Sequence, residues 1–230
     1  MRRRQPPAPL PVPFSPAAAR SHRTGLGLTP EQVADGLAAH GVRLLPAHVR
    51  AWESGELHPD ETELVALARV LWCTAAQLMG TRPVGLRDHR LARELTQQAA
   101  AGRIGVALPV YREAERTGRW EGDAAATRAL AETLGLAPAA LVEATGRRDA
   151  LDRLLRRCVD GRWQAHLAAV ARIVPADRDD LAAALATLHQ EHAVPGHWGA
   201  PGVRPVAGRL TDRFLELLAT SRPPDHRNPA

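Results

Sequence analysis

His22-Arg-Thr-Gly-Leu-Gly-Leu-Thr29 and His89-Arg-Leu-Ala-Arg-Glu-Leu-Thr96 share one frame: His-Arg, four residues, Leu-Thr. The parallel continues downstream. Five positions after each Thr stands an alanine, Ala34 or Ala101, followed by a Gly-Val pair, Gly41-Val42 or Gly105-Val106. A short segment then ends in glutamate, Glu53 or Glu115, with Gly55 or Gly118 soon after. Further on, Leu67-Ala68, Leu71 and Leu78 recur 63 residues later as Leu130-Ala131, Leu134 and Leu141. One match would be chance, but landmarks kept in order over a whole unit mean a duplicated segment.

The composition says what kind of unit was duplicated. Hydrophobic residues make up 45% of the 230-residue chain, dominated by Ala and Leu, while aromatics are 3%. Such a mixture favours helices over sheets, and the length has room for one large domain or two to three small ones. Thr29, Thr96 and Asp177 each precede an Ala/Leu-rich stretch, as N-caps do, and Pro30 takes the first helical position after Thr29. An all-α fold is expected. Its parts are a Pro-rich basic arm (1–16), the first repeat (17–80), a second, partly degenerate repeat (86–146), a helical C-terminal region (147–220) and a tail (221–230). Arm and tail are expected to be disordered.

All 30 basic residues are Arg, which points to a GC-rich coding genome and not to a mechanism. The net charge of +5 is unevenly spread: the arm carries +3, residues 17–80 five basic against seven acidic side chains, 81–146 nine against eight, and 147–230 thirteen against ten. The basic excess therefore lies mainly outside the repeats. Cys73 and Cys158 are too few for a disulfide framework and too far apart for a metal knuckle, which fits a reducing cytoplasm. Arg2-Arg3-Arg4 is followed by Pro6, Pro7, Pro9, Pro11 and Pro13, not by an apolar run, so no signal peptide is expected. No segment approaches the roughly 20 apolar residues that span a bilayer. A soluble, cytoplasmic, nucleoid-associated protein with no membrane partner is the expectation.

The repeated landmarks resemble the lambda-repressor-like (Xre) helix-turn-helix family of bacterial regulators. In that pattern Thr-x4-Ala opens helix 2, Gly-Val lies in the turn, and the recognition helix ends Trp-Glu-x-Gly, matched here by Trp52-Glu53-Ser54-Gly55. The resemblance covers about residues 17–80 and 86–146, a little over half of the chain. It implies two tandem helix-turn-helix domains and two structural ion pairs from helix 1, Arg23 with Glu53 and Arg90 with Glu115. Ala34 and Ala101 are small enough to let the recognition helix cross close to helix 2. Val49 and Tyr111, three residues before the Trp position, should face the core. The copies also differ. Ala34 to Trp52 spans 18 residues but Ala101 to its counterpart Ala114 spans 13, so helix 2 and its turn must be longer in the first copy. The second copy has Ala100 and Ala114 where large side chains are expected, with Trp120 the candidate to fill the space.

A recognition helix presents one face to the major groove, while the N-terminus of helix 2 meets a phosphate. By this resemblance the outward positions are Pro46, Ala47, Arg50 and Ala51 in copy one, with His48 at the margin, and Leu108, Pro109, Arg112 and Glu113 in copy two. Arg50 and Arg112 can each donate two parallel hydrogen bonds to guanine. Gln97 matches the family's phosphate-binding Gln after the helix 2 cap, where copy one has Pro30. The candidate DNA-binding set is Arg50, His48, Ala47, Arg112, Gln97 and Pro109, with Arg2, Arg3 and Arg4 as an auxiliary arm. The function implied is that of a sequence-specific regulator with double-stranded DNA as partner and a homodimer as a candidate assembly. The alternative is a protein-interaction module on a scaffold that has lost DNA binding, favoured by the acidic first repeat. No phosphate loop, dinucleotide fingerprint or nucleophile elbow occurs, so neither catalysis nor a cofactor is expected.

Beyond Arg147, Leu151, Leu154, Leu155 and Cys158 form one apolar face, followed by Trp163, Leu167, Val170 and Ile173. Helices are expected over about 177–191 and 210–219, bearing Leu181, Leu185, Leu188, then Leu210, Phe214, Leu217 and Leu218. These stripes need a partner surface: the second repeat, one another, or a second chain. His189, His192 and His197 near Glu191 lack a metal-site spacing, and no metal is expected there.

Overall fold

The computed structural model describes residues 11–192 and 208–221. Among them there is no strand; the chain forms α1 (Pro16–Gly25), α2 (Pro30–Ala39), α3 (Pro46–Ser54), α4 (Glu61–Val70), α5 (Ala75–Met79), α6 (Leu86–Ala92), α7 (Gln97–Ile104), α8 (Leu108–Thr117), α9 (Ala124–Leu134), α10 (Pro138–Ala144), α11 (Arg148–Asp160), a 3₁₀ turn (Trp163–His166), α12 (Leu167–Ile173), α13 (Arg178–His192) and α14 (Gly208–Ser221). The expected all-α class is what is found. Arg2 to Arg4, His197 and the tail beyond Ser221 lie outside the described residues. The chain divides into two compact units, Met1–Pro83 with Arg87–Thr96, and Val84–Leu86 with Gln97–Ala230.

Four helices of the first unit, α1, α2, α4 and α5, begin where side chains can satisfy their free N–H groups. Ser15 Oγ accepts from the Ala18 amide (3.2 Å), and Thr29/Gln32, Asp60/Glu63 and Thr74/Gln77 form reciprocal capping boxes on α2, α4 and α5. Each such cap is worth about 1 kcal/mol. The apolar faces converge on one core containing Ala19, Val33, Ala34, Leu37, Val49, Trp52, Leu64, Leu67, Leu78 and, from α6, Leu91. Part of the arm belongs to this core too, a correction to the expectation of a disordered 1–16. Val12 is buried, Phe14 packs on the cluster and edge-on to His58, and the Ser15 amide donates to the Leu78 carbonyl at 2.7 Å. The prolines remove amide donors and stiffen the chain, while Val12 and Phe14 between them supply the apolar surface that fastens it.

α6 is held to the first unit by charge as well as packing. Glu61, at the start of α4, receives Arg87 Nε at 2.7 Å and Arg90 Nη2 at 2.8 Å. Burial pushes the Glu61 carboxyl up, but the two guanidinium groups outweigh it and hold it below the usual carboxylate range.

In the second unit α7 packs on α8 and α9, and α9 on α12. Trp120 is buried, its Nε1 donating to Thr127 Oγ1 at 2.9 Å. The turn after α8 and the end of α10 approach closely: the Trp120 amide donates to the Thr145 carbonyl (3.2 Å), and a β-carbon on Gly146, at φ 63, would stand 2.6 Å from the Gly118 oxygen. Only glycine fits there. Arg147 then binds the segment together without a carboxylate, donating to the carbonyls of Trp120, Gly122 and Arg172 and to Thr127 Oγ1. Burial lowers its affinity for the proton from the ordinary value. Of the partners open to the C-terminal stripes, the structure uses two: Leu151, Leu155, Cys158, Val170, Leu181, Leu185, Leu188, Leu210, Phe214 and Leu218 pack on one another in a core that also takes in Val142 of α10 from the second repeat.

The repeat is visible in backbone detail. Arg23 and Arg90, equivalent at an offset of 67 residues, each donate Nη1 to the carbonyl of the leucine five positions on, Leu28 and Leu95, both at 2.8 Å. Helix ends correspond as well, with two exchanges. After α1 the left-handed residue is Gly27 (φ 67), but after α6 it is Glu94 (φ 53); after α9 it is Gly135 (φ 63), but after α4 it is Trp72 (φ 50). A left-handed backbone costs a residue with a β-carbon roughly 1–2 kcal/mol.

Candidate nucleic-acid interface

The expected difference in length between the copies is located by the helices. α2 has ten residues and α7 eight. The connection to the next helix is 40–45 in one and 105–107 in the other, which supplies the remaining three of the five extra residues. α3 and α8 nevertheless start at equivalent positions, Pro46 and Leu108, with proline in the first two positions and no side-chain cap on their amides. Val49 and Tyr111 are both buried, as are Trp52 and its counterpart Ala114.

The first expected ion pair is present. Arg23 Nε lies 2.5 Å from Glu53 Oε1 and Nη2 lies 2.8 Å from Oε2, a two-pronged contact in which the Glu53 carboxylate is 7% exposed. It ties α1 to the end of α3, and Arg20 adds a hydrogen bond to the Glu53 carbonyl at 2.9 Å. In the second copy Arg90 is buried and pairs with Glu61, a partner the repeat pattern did not indicate, and Glu115 accepts from Gln97 Nε2 at 2.6 Å; these are not the sole partners of Arg90 and Glu115. Glu61 lies in α4 of the first copy, outside the stretch where a repeat-based reading looks for Arg90's counter-charge.

On the outward faces Ala47 and Arg50 of α3, and Pro109, Arg112 and Glu113 of α8, are exposed. His48 is half-buried and its Nδ1 lies inside without a hydrogen-bond partner, so this ring sits at the edge of the face. Arg50 is paired with Glu31 of α2. Hydrogen bonds from its own helix start and from Thr29, with Arg50 alongside, hold the Glu31 carboxyl below its ordinary range, so the acid stays charged beside the arginine. Glu31 stands on the side of α2 that the resemblance assigns to a phosphate, where a carboxylate repels one.

The arrangement on α8 is different. Arg112 Nε donates to Gln97 Oε1 at 3.2 Å, and the same Gln97 amide donates to Glu115. No further hydrogen bond of Arg112 occurs among the described residues, so Nη1 and Nη2 are left as outward donors. The nearby acid Glu113 is engaged by Arg116 of the same helix, Nε to Oε2 at 2.8 Å, which keeps its carboxyl below the ordinary range. Gln97 thus holds Arg112 by its Nε edge, and Arg116 offsets the carboxylate of Glu113 beside it. Gln97, the residue the resemblance assigns to a phosphate, has its side-chain amide between Arg112 and Glu115. Glu31 was missed, although an acid two residues after the helix 2 cap was the signal available.

Among the described residues no three His, Cys, Asp or Glu side chains are grouped to hold a metal, and no helix is long and apolar enough to cross a membrane. His189 Nδ1 is 3.0 Å from the Cys158 carbonyl, joining α13 to α11, and His192 Nδ1 is 2.8 Å from that of Leu188 in its own helix. Burial pushes both the Cys158 and, with Glu94 adding to it, the Cys73 thiol up to about 11, which keeps them protonated at neutral pH. No family model, curated protein or solved structure matches the chain.

Proposed function

We propose that the chain is a sequence-specific DNA-binding regulator of the helix-turn-helix kind, and that the second repeat is its reading head. The observation that carries this is the Gln97–Arg112 hydrogen bond on the exposed face of α8. A guanidinium fixed through Nε keeps two parallel N–H donors in one plane, the geometry that recognises O6 and N7 of guanine in the major groove. Around it, Pro109 offers a flat contact surface and the uncapped amides at the start of α8 suit a phosphate oxygen. Discrimination by one such arginine is worth about 1–3 kcal/mol.

The test is a mobility-shift titration with the DNA the protein selects from a random pool. Arg112→Ala is expected to lose selection at one base pair, with the weaker residual binding falling steeply as salt rises. Selection unchanged in Arg112→Ala removes α8 as the reader. For the first unit two observations favour the protein-interaction reading: Arg50 is neutralised by Glu31, and Trp72 projects into solvent.

A further inference from the structure

A glutamine side chain can turn either way about its last bond, exchanging a carbonyl oxygen for an NH2 group. Gln97 uses both ends at once: Nε2 donates to Glu115 Oε2 at 2.6 Å, and Oε1 accepts from Arg112 Nε at 3.2 Å. An ionised carboxylate only accepts and a guanidinium only donates, so one of the two amide orientations satisfies both partners. The reverse orientation would set NH2 against N–H on the arginine side and oxygen against oxygen on the other. Both contacts are charge-assisted, and the one to the carboxylate is the tighter. Glu115 therefore decides which end of the amide Arg112 meets.

Gln97 and Glu115 are half-buried while Arg112 is exposed, so the constraint is set on the sheltered side and expressed on the open one. The first repeat has the same residue types in other uses. There Glu53 gives both oxygens to Arg23, Gln32 closes a capping box with Thr29, and Arg50 meets Glu31. We infer that Glu115 is a positioning residue for base selection, a role that rests on α8 being the reader: through Gln97 it fixes the plane of the Arg112 guanidinium, and with it the preference for guanine at one base pair.

The experiment uses the full chain and the base pair at which Arg112→Ala loses selection. It measures the ratio of affinities for the selected DNA and for the same DNA with that pair changed from G·C to A·T. A change of net charge shifts both affinities alike and leaves the ratio in place. Glu115→Gln, whose new amide can accept or donate, is expected to lower the ratio about three- to tenfold, the effect of loosening one hydrogen bond. Gln97→Met is expected to lower it at least as far. In the Gln97→Met background Glu115→Gln changes nothing more, because the side chain through which Glu115 acts is gone. Glu115 has interactions besides Gln97, and this cycle subtracts them. A further reading needs neither variant nor DNA: by NMR, the side-chain amide protons of Gln97 exchange with water several-fold more slowly than those of its exposed neighbour Gln98. A ratio unchanged in Glu115→Gln, an equal loss with and without the Gln97 side chain, or equal exchange at Gln97 and Gln98 overturns the role of Glu115 and leaves α8 as the reader. Base selection that survives Arg112→Ala removes the reader itself, and the role of Glu115 falls with it.

Discussion

Arg50 and Arg112 occupy equivalent turns of α3 and α8, yet each meets a different neighbour from the preceding helix: Glu31 for one, Gln97 for the other. A carboxylate satisfies an arginine and cancels its charge; an amide satisfies one edge and leaves the charge and two donors in place. The partner supplied by the preceding helix, Glu31 two residues after its cap in α2 and Gln97 one residue after its cap in α7, therefore decides whether the arginine keeps its charge and its outer donors. The two segments share backbone features while the side chains around an equivalent arginine differ, and the segment closer to the family's sequence pattern is not the one whose arginine keeps open donors. Copy one keeps Trp-Glu-x-Gly, but copy two keeps the arrangement around its arginine.

The comparison can be broken first at the core. Trp52→Ala should destabilise the chain by about 3–5 kcal/mol in denaturant unfolding, whereas Ala114→Trp, entering the site between α7 and α8, should also destabilise, by about 1–3 kcal/mol through overpacking. If Ala114→Trp is tolerated without loss, the second core is looser than its buried Ala100, Ala114 and Tyr111 indicate. Next comes the reading face. Arg112→Ala should weaken specific DNA binding by about 10- to 100-fold, and Arg50→Ala by less than about twofold; the reverse order would transfer the function to α3.

Two smaller effects sharpen the contrast. Glu61 has its folded-state pKa lowered by Arg87 and Arg90, so its stabilising contribution is complete above its ordinary value of 4.5 and is lost as pH falls through the lowered value. Glu61→Gln should therefore lower stability at neutral pH by on the order of 1 kcal/mol, read as a lower Tm, and the gap from wild type should close as the pH drops below 4.5; a gap that widens in acid refutes the pairing. Smallest is Glu31→Gln, which removes the charge beside Arg50. It should raise DNA affinity by less than about fivefold at low salt and by nothing at high salt. A large gain would mean that α3 is a reader held in check by one carboxylate.

Much of the fold was legible because it rests on local chemistry. Thr29 with Pro30, the Ala/Leu periodicity and the positions of Val49, Tyr111 and Trp52 follow from helix caps and from which face must be buried, and the longer second helix of copy one follows from counting. Arg23 with Glu53 was reachable through the family resemblance. The residues that were not legible depend on pairs distant in sequence. Glu61 meets Arg87 and Arg90 across 26 and 29 residues, and nothing local marks it. Val12 and Phe14 looked like part of a proline-rich tail because their partners lie on other elements. Trp72 reads as one more apolar residue after α4 until its backbone angle is set beside that of Gly135.

α6 opens the second repeat in sequence but delivers Leu91, Arg87 and Arg90 to the first unit. Anyone dividing this gene by its internal homology would cut near residue 85 and leave the amino-terminal half without a wall of its core and with Glu61 deprived of both cations. A fragment carried through Thr96 keeps them. The unit of inheritance and the unit of folding thus have different edges, and recombination at the former would scarcely be tolerated.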